Sequence, residues 1–452
     1  MYLAAGARHG DVNGLRVGYA RLYARSGTDW NMIQQINGTV SHGDFGISLD
    51  LSHDGSMLAI GSRGSASGHV YMYELSTSSF LYELLHTTGY VSAAEVSVSG
   101  DGKVVGVASW SSVNGAKIYE RIGDGFQQRG TDINYGFWGS GIALSYDGSI
   151  FIVGDTYWDS DTIMNIGRAG VFQWRDDNED GSMEWVQMGS DITGNAANDF
   201  LGFIGCVSIT YDGLTVAVGA ERYDRDGLKD RGLVRVYNHD STSDTWNERG
   251  VDLVGDNTND QFSKTALSSD GTYLFVGAYG TYGSANYARL FAKNGDNYET
   301  VRDTIIGEGV YYGFSVDISA DASALVVGDY SFDNYDYNGT VYLYDSFSSS
   351  SSLDPSSSSS LPPSLKETST PSGSPSFSPS LVSSAVPSAA PVTPKPTASP
   401  TMAPTTADPT RVPPSSSLVS MNPIASSSLH PPSSPMSYAK SSLICILLLW
   451  MF

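Results

Sequence analysis

Seven short apolar runs recur along the first three-quarters of the chain, and most end in a glycine followed by one more residue. Fully apolar runs of this length are typical of β-strands buried on both faces. They are found at residues 2–7, 57–62, 104–109, 150–155, 216–220, 274–278 and 325–329. The recurrence predicts one repeated unit with this run as its second strand, strand B.

Three further strands complete the predicted unit. Strand A alternates apolar and polar residues, as at 47–51 and 315–318, and strand C has the pattern Gly-x-Val-x-x-Tyr, as at 68–73. Strand D carries an aromatic residue and then glycine, as at 126–130 and 185–189. A turn of the type Ser-x-Asp-Gly joins strands A and B, and such a turn between apolar runs is a strong hairpin signal. It occurs at 52–55, 99–102, 145–148, 210–213 and 268–271, whereas the last unit has Ala320-Asp321-Ala322.

Repeats of roughly 46–65 residues with four strands each are typical of propeller blades. The sequence therefore predicts an all-β, seven-bladed β-propeller of four-stranded antiparallel blades over residues 1–347. The first unit opens directly on strand B, and the last has strands A to C before a serine run. Ring closure would combine strands from both ends or leave a blade short.

The rest of the chain has a different composition. All 19 prolines lie at or beyond Pro355, and residues 348–440 are rich in Ser, Pro and Thr. This segment cannot bury enough apolar area to fold, so it is predicted to be a disordered, O-glycosylated stalk. The apolar run in residues 441–452 is too short for a membrane-spanning helix, which needs about 20 residues. Small residues and a polar spacer before it favour a GPI-attachment signal; a chance hydrophobic end is the alternative.

Charge narrows the choice of partner. The net charge is −23, and only four basic and three acidic residues follow Phe347, so the acidity belongs to the repeats. An acidic surface repels phosphate backbones, which argues against nucleic acid. Cations or neutral glycans fit better, although acidity can serve solubility alone. Cys206 lies in an apolar strand and is predicted to be a buried thiol, and with Cys445 in the terminal run no disulfide can form within the repeats.

Localisation rests on indirect signals. Residues 1–14 contain no apolar signal-peptide core. Because a missing first strand would expose a sheet edge, we expect the true start to lie upstream and the protein to be extracellular, GPI-anchored or wall-associated; a cytosolic protein is the alternative. Asn37 and Asn338 begin glycosylation sequons, which favour secretion slightly.

The blades resemble FG-GAP repeats, which form the N-terminal propeller of integrin α-subunits. Phe-Gly or Gly-Phe pairs precede strand A at 45–46, 136–137 and 313–314, with Asp-Phe-Leu-Gly at 199–202, and Gly-Ala ends strand B at 6–7, 219–220 and 277–278. The proline of the family motif is absent, and several blades lack Phe-Gly. WD40 blades share the Ser-x-Asp-Gly turn, but their Gly-His and Trp-Asp signatures are missing. The resemblance implies a seven-bladed propeller, extracellular recognition or adhesion, and Ca²⁺ in some hairpin loops.

One loop fits the calcium expectation. Oxygen-bearing side chains alternate before and after Gly181, as Ca²⁺ ligation in a tight loop requires. The predicted ligands are Asp176, Asn178, Asp180, Ser182 through its carbonyl, and Glu184. A weaker candidate has Asp224, Asp226 and Asp230. Acidic residues and glycine are also what an ordinary exposed turn uses.

The B–C loops should all lie at one end of the ring, and they carry many aromatic residues beside carboxylates. Such a surface is suited to a glycan or protein ligand, because rings stack on apolar faces while acids accept hydrogen bonds from hydroxyls. Packing between blades is the alternative role for these rings. The predicted ligand face comprises Tyr157, Trp158, Tyr223, Tyr279, Tyr282, Tyr335 and Tyr337.

Catalytic motifs are not evident. The seven histidines are scattered, and neither a nucleophile elbow nor a phosphate-binding loop occurs. The sequence thus favours a non-enzymatic cell-surface recognition or adhesion protein that binds a glycan or protein through its propeller loops. Such a protein would be stabilised by calcium and held at the membrane by a lipid anchor only. The alternatives are a propeller hydrolase acting on polysaccharide and an intracellular WD40-like scaffold.

Overall fold

The computed structural model describes residues 1–27, 29–64, 68–111, 115–135, 138–280, 286–307, 311–329 and 339–345, together with the backbone of residues 444–446. These residues form strands and turns, with no helix among them. Seven small antiparallel sheets follow one another along the chain. The prediction of an all-β, seven-bladed propeller is confirmed.

Within a blade, strand A lies innermost and strand D outermost. Blades 1 to 3 comprise β1 (Tyr2–Ala7), the loop hairpin of β2 (Asp11–Val12) and β3 (Leu15–Arg16), β4 (Tyr19–Ser26), β5 (Asp29–Asn37); β6 (Leu49–Leu51), β7 (Met57–Gly61), β8 (Val70–Leu75), β9 (Tyr82–Thr87); β10 (Ala93–Val98), β11 (Val104–Ser109), β12 (Lys117–Ile122) and β13 (Gly125–Gln128).

Blades 4 and 6 each add a two-residue strand that pairs with strand C. Blades 4 to 7 comprise β14 (Ile142–Leu144), β15 (Ile150–Asp155), β16 (Arg168–Arg175), β17 (Glu184–Gln187), β18 (Ile192–Thr193); β19 (Val207–Ile209), β20 (Thr215–Ala220), β21 (Leu233–Asp240), β22 (Thr245–Val254); β23 (Phe262–Leu267), β24 (Tyr273–Ala278), β25 (Tyr287–Asn294), β26 (Asn297–Thr300), β27 (Ile305–Ile306); β28 (Tyr312–Ile318), β29 (Ala324–Asp329) and β30 (Thr340–Asp345).

The inner edge of blade 1 is paired with a strand from the far end of the chain. Strand β31 (Ile444–Ile446) lies parallel to β1, with Leu3 opposite Ile444. It takes the place that strand A has in the other blades. The predicted stalk lies outside the described residues, as does the rest of the predicted GPI signal. The described residues include no helix suited to crossing a membrane.

The Ser-x-Asp-Gly turn is the same hydrogen-bonded unit in blades 2 to 7. In blade 2 the Ser52 hydroxyl donates to Asp54 Oδ1 (2.8 Å), the same oxygen accepts the Ser56 N–H (2.8 Å), and Ser52 Oγ accepts the Met57 N–H (2.9 Å). The five other turns repeat these three bonds. Ala322 replaces the glycine in blade 7 and still adopts a left-handed φ of 55°.

Adjacent blades approach closely at the glycine that ends strand B. A Cβ added to Gly277 would lie 2.2 Å from the carbonyl oxygen of Gly313 in the next blade, and one added to Gly154 would lie 1.9 Å from that of Gly202. The two glycines of the Phe-Gly … Gly-Ala pattern therefore contact each other across the blade interface, where no side chain fits.

The aromatic-then-glycine pattern of strand D has a similar cause. The Trp185 indole N–H donates to the Arg129 carbonyl in the preceding blade (2.9 Å), and Trp246 donates to Met188 in the same way (2.8 Å). Each indole also packs against the glycine that follows the accepting residue, Gly130 after Arg129 and Gly189 after Met188. The outer strands are thus joined between blades by a half-buried aromatic side chain with a satisfied N–H.

Candidate functional site

The alternating strand directions give the propeller two distinct faces. The B–C loops and the D–A connections lie on one, here called the loop face. The A–B and C–D turns lie on the opposite one, the turn face.

Four aromatic side chains form an arc on the loop face across blades 2 to 4, here called the aromatic arc. Tyr90 is 51% exposed, Trp138 46% and Tyr157 46%. Trp110 is half-buried, with the Arg63 guanidinium 4.7 Å from its ring centre. Aromatic rings present a large apolar surface at little cost in side-chain entropy, because few torsions have to be fixed.

A buried cation lies under the centre of this face. Lys264 is 1% exposed, and its ammonium donates to the Ile204 carbonyl (2.8 Å) and lies 3.7 Å from Glu221 Oε2. It also lies 4.7 to 5.2 Å from the ring centres of Phe203, Tyr279 and Phe314. A buried ammonium needs such partners, because its desolvation alone would cost about several kcal/mol.

Glu221 connects the buried cation to the surface. Its Oε2 accepts the Tyr279 hydroxyl (2.8 Å), and Arg222 Nε lies 3.7 Å from its Oε1. Burial, followed by the charge of Glu221, raises the pKa of Tyr279 well above its usual value. Burial, again with Glu221, raises the pKa of Tyr157. Both phenols are therefore neutral hydrogen-bond donors at neutral pH.

Basic residues surround Asp44 at the edge of the same face. Arg63 donates to its Oδ2 (3.1 Å), and His9 lies 3.3 Å from its Oδ1. Burial opposes ionisation of this carboxyl, but the hydrogen bond from His9 and the charges of Arg8 and Arg63 lower its pKa overall. Asp44 is ionised and holds the Arg63 guanidinium, which lies over the Trp110 ring.

The predicted ligand-face residues divide into two groups. Tyr157 is exposed and Trp158 half-buried under Arg168, whose guanidinium lies 4.9 Å from the Trp158 ring centre. Tyr223 and Tyr279 are buried, as the packing alternative expects. The prediction for Tyr282, Tyr335 and Tyr337 lies outside the described residues.

Sequence reasoning did not select Tyr90, Trp110 or Trp138. Tyr90 and Trp138 lie in D–A connections, whereas the predicted ligand face comprises residues of B–C loops alone. Trp110 directly follows a strand B that lacks the terminal glycine. A search of both loop types for aromatic residues would have found all three.

The stronger calcium candidate is a C–D hairpin between β16 and β17, and so lies on the turn face. Its groups bond to one another: Asp176 accepts the Gly181 N–H (2.8 Å), Asp180 accepts the Ser182 N–H (2.8 Å), and the Asn178 amide donates to Glu184 (3.0 Å). Within the described part of the chain, no three His, Cys, Asp or Glu side chains are grouped so as to hold a metal. Calcium binding stays a prediction.

The weaker candidate lies in a B–C loop, on the loop face. Asp224 accepts the Asp230 N–H (2.6 Å), and Asp226 accepts from Arg231 (3.1 Å). The sequon residue Asn37 ends β5 and is exposed, whereas Asn338 lies outside the described residues.

Comparison with known proteins identifies the architecture. A scan against protein-family models gives no match, and neither does a search of curated proteins. Similar solved structures include a putative 6-phosphogluconolactonase from Bacteroides fragilis (TM-score 0.52, 16% identity, 76% of this chain and 90% of that one). A periplasmic gluconolactonase from Pseudomonas aeruginosa (0.52, 15%, 76% and 92%) and a protein from Lactobacillus plantarum (0.51, 15%, 76% and 91%) are also similar. At such identities the likeness shows the fold alone.

The comparison corrects one prediction. The sequence favoured a protein that is not an enzyme, yet one of these similar propellers is named a putative 6-phosphogluconolactonase and another a gluconolactonase. The reasoning failed because it treated the absence of familiar catalytic motifs as evidence, although a propeller gathers its site residues from several blades. The fold and the missing motifs therefore give no ground for excluding catalysis.

Proposed function

We propose that the propeller recognises an extracellular glycan through the aromatic arc of its loop face. The observation that carries the proposal is the exposure of three large rings, Tyr90, Trp138 and Tyr157, on loops of consecutive blades. Single exposed aromatics are common, whereas several on one rigid face are typical of a binding surface.

The groups around the arc suit a sugar. The C–H face of a pyranose stacks on an aromatic ring, and its hydroxyls need both donors and acceptors. Arg63 and Arg222 supply donors beside the arc, and the Tyr157 hydroxyl supplies both functions. The acidic surface favours a neutral or cationic glycan over a sulfated one.

The proposal is tested by glycan-array binding followed by calorimetry. Trp138→Ala and Tyr157→Ala should each weaken binding about tenfold or more, the usual cost of a lost stacking contact. Phe80→Ala is the matched control, since Phe80 is 70% exposed on the C–D turn of blade 2, at the turn face. Equal affinities for all three variants would refute recognition by the arc.

Hydrolysis of a bound sugar derivative is the second candidate. It is favoured by Glu221, an acid with an attached phenol donor and a nearby ammonium under the loop face. Turnover on a panel of glycans and gluconolactones, lost in Glu221→Gln with binding kept, would support it. Binding without turnover in the wild-type protein would restrict the function to recognition.

A further inference from the structure

A cavity lies on the propeller axis and opens at the turn face. It has a volume of about 230 Å³ and is lined by the strands A of blades 2 to 7. Its mouth lies among the A–B turns, at His53, Tyr211 and Ser269. The volume far exceeds the roughly 10–15 Å³ that one water needs, so a small organic molecule fits.

The wall of this cavity is acidic. Asp50 and Asp317 line it at equivalent positions, two residues before the turn serine or its counterpart, Ser52 and Ser319. Asp50 accepts the N–H groups of Leu51 and Val98 (both 2.7 Å). Among the described residues that form the wall there is no lysine or arginine. The cavity therefore favours a positive charge.

Buried hydroxyl groups face the same space. Thr265 and Ser315 line the cavity at 6% and 5% exposure, and neither hydroxyl has a hydrogen-bond partner among the residues that the structure describes. A buried hydroxyl without a partner destabilises the folded protein. An occupant with polar groups would satisfy both.

The deep end of the cavity holds a carboxyl group. Glu95 Oε2 accepts the N–H groups of Gly205 and Ile142 (both 3.2 Å). Gly141 leaves it room, because a Cβ there would lie 3.1 Å from that oxygen. Burial raises the pKa of Glu95 to about 8, with Gly205, Lys264 and Ile142 opposing the shift and Asp50 adding to it. This group can ionise when a cation enters.

The mouth is formed by aromatic rings. His53 Nδ1 and the Tyr211 hydroxyl are 2.6 Å apart, and the Tyr146 ring centre lies 5.1 Å from that of Tyr211. Burial, followed by Asp50, Tyr146 and Asp317, raises the pKa of Tyr211, so its phenol is neutral. Neutral rings attract cations through their faces.

We propose that this axial cavity binds a small organic cation that carries hydroxyl groups, with the charge near Asp50 and Asp317 and a hydroxyl on Thr265 or Ser315. A metal ion fits less well, because no three His, Cys, Asp or Glu side chains of the described residues form a metal-holding group. The site lies at the opposite face from the aromatic arc and does not depend on glycan recognition there.

The test is calorimetry with three cations at pH 6.5, choline, ethanolamine and glucosamine, against 3,3-dimethylbutan-1-ol, ethylene glycol and glucose as uncharged counterparts. At least one cation should bind, more tightly than its counterpart. Asp317→Asn should weaken it about tenfold or more, the usual scale for a charged partner, and Ser315→Ala should also weaken it without lowering the melting temperature. Asp303→Asn, an exposed acid in a loop, and Trp138→Ala are controls that should bind normally.

Proton linkage gives an independent readout. Choline does not titrate, and its binding should lower the pKa of Glu95. The wild-type protein should therefore release protons when it binds choline at pH 8, whereas Glu95→Gln should not. The charged groups around Glu95 are Lys264 and Asp50, with Asp317 on the same wall. Failure of all three cations to bind would show that the cavity holds only water. Equal binding of the uncharged counterparts would show that the cavity does not recognise charge, and either result would overturn the proposal.

Discussion

The close approach of glycines between blades makes a quantitative prediction for Gly277→Ala. The added Cβ would lie 2.2 Å from the Gly313 carbonyl oxygen and 2.8 Å from a Val316 methyl group. An acceptable contact needs more than 3 Å, so backbone in the next blade must move by about 1 Å. Overpacking of this kind costs about 1–3 kcal/mol, occasionally more, and backbone yields less than a side-chain end does. We expect a loss of about 3 kcal/mol.

That loss converts into a measurable shift in the melting temperature. With an unfolding entropy of about 2.1 cal/mol/K per residue over roughly 340 residues, 3 kcal/mol corresponds to about 4 °C in a cooperative ring. Urea titration measures the same change at constant temperature. Gly89→Ala is the matched control, because a Cβ there meets no atom within 4 Å and Gly89 is not left-handed. Identical melting of the two variants would refute the account of the Gly-Ala pattern.

Three further perturbations have defined outcomes. Burial opposes ionisation of Asp54, Asp147 and Asp270 in the A–B turns, but hydrogen bonds to these carboxylates lower their pKa overall. This stabilisation is present above the unfolded pKa of about 3.9 and is lost as pH falls through the folded values. The free energy of unfolding of Asp54→Asn should therefore lie below that of the wild type at neutral pH and approach it in acid, and a difference that stays constant with pH contradicts this role. Glu95 behaves oppositely: with a folded pKa of about 8, wild-type stability should fall relative to Glu95→Gln between the unfolded pKa of about 4.3 and pH 8, and parallel pH–stability curves would contradict it. If the hairpin binds Ca²⁺, chelation should lower the melting temperature of the wild type but not of Asp180→Ala; no response to chelator in either protein removes calcium from that loop.

The fold followed from the sequence because the propeller repeats one set of local signals. The Ser-x-Asp-Gly turn fixes its own hydrogen bonds within five residues, so its six copies could be located without any knowledge of the tertiary structure. Even the divergent turn at Ala322 keeps the pattern, since the serine and aspartate do the bonding.

The site was less predictable because its residues come together only when the ring closes. Lys264 occupies an ordinary strand A position, and nothing near it in sequence indicates that Glu221 and Tyr279 surround its ammonium. Tyr223 and Tyr279 look like exposed loop aromatics in sequence, yet both pack into the interior, whereas Tyr157, which lies at a similar distance from the end of its strand B, is exposed.

In the A–B turns, the residues that hold the turn together differ from the residue that faces the mouth of the cavity. In each of the six, the serine or threonine and the aspartate carry the bonds, while the residue between them projects at the axial mouth: His53, Gly100, Tyr146, Tyr211, Ser269 and Ala320. These six positions can be varied without changing the residues that form the hydrogen bonds of the turn. Randomising them together should change what enters the cavity while leaving the blades intact, which makes this propeller a candidate framework for engineered receptors.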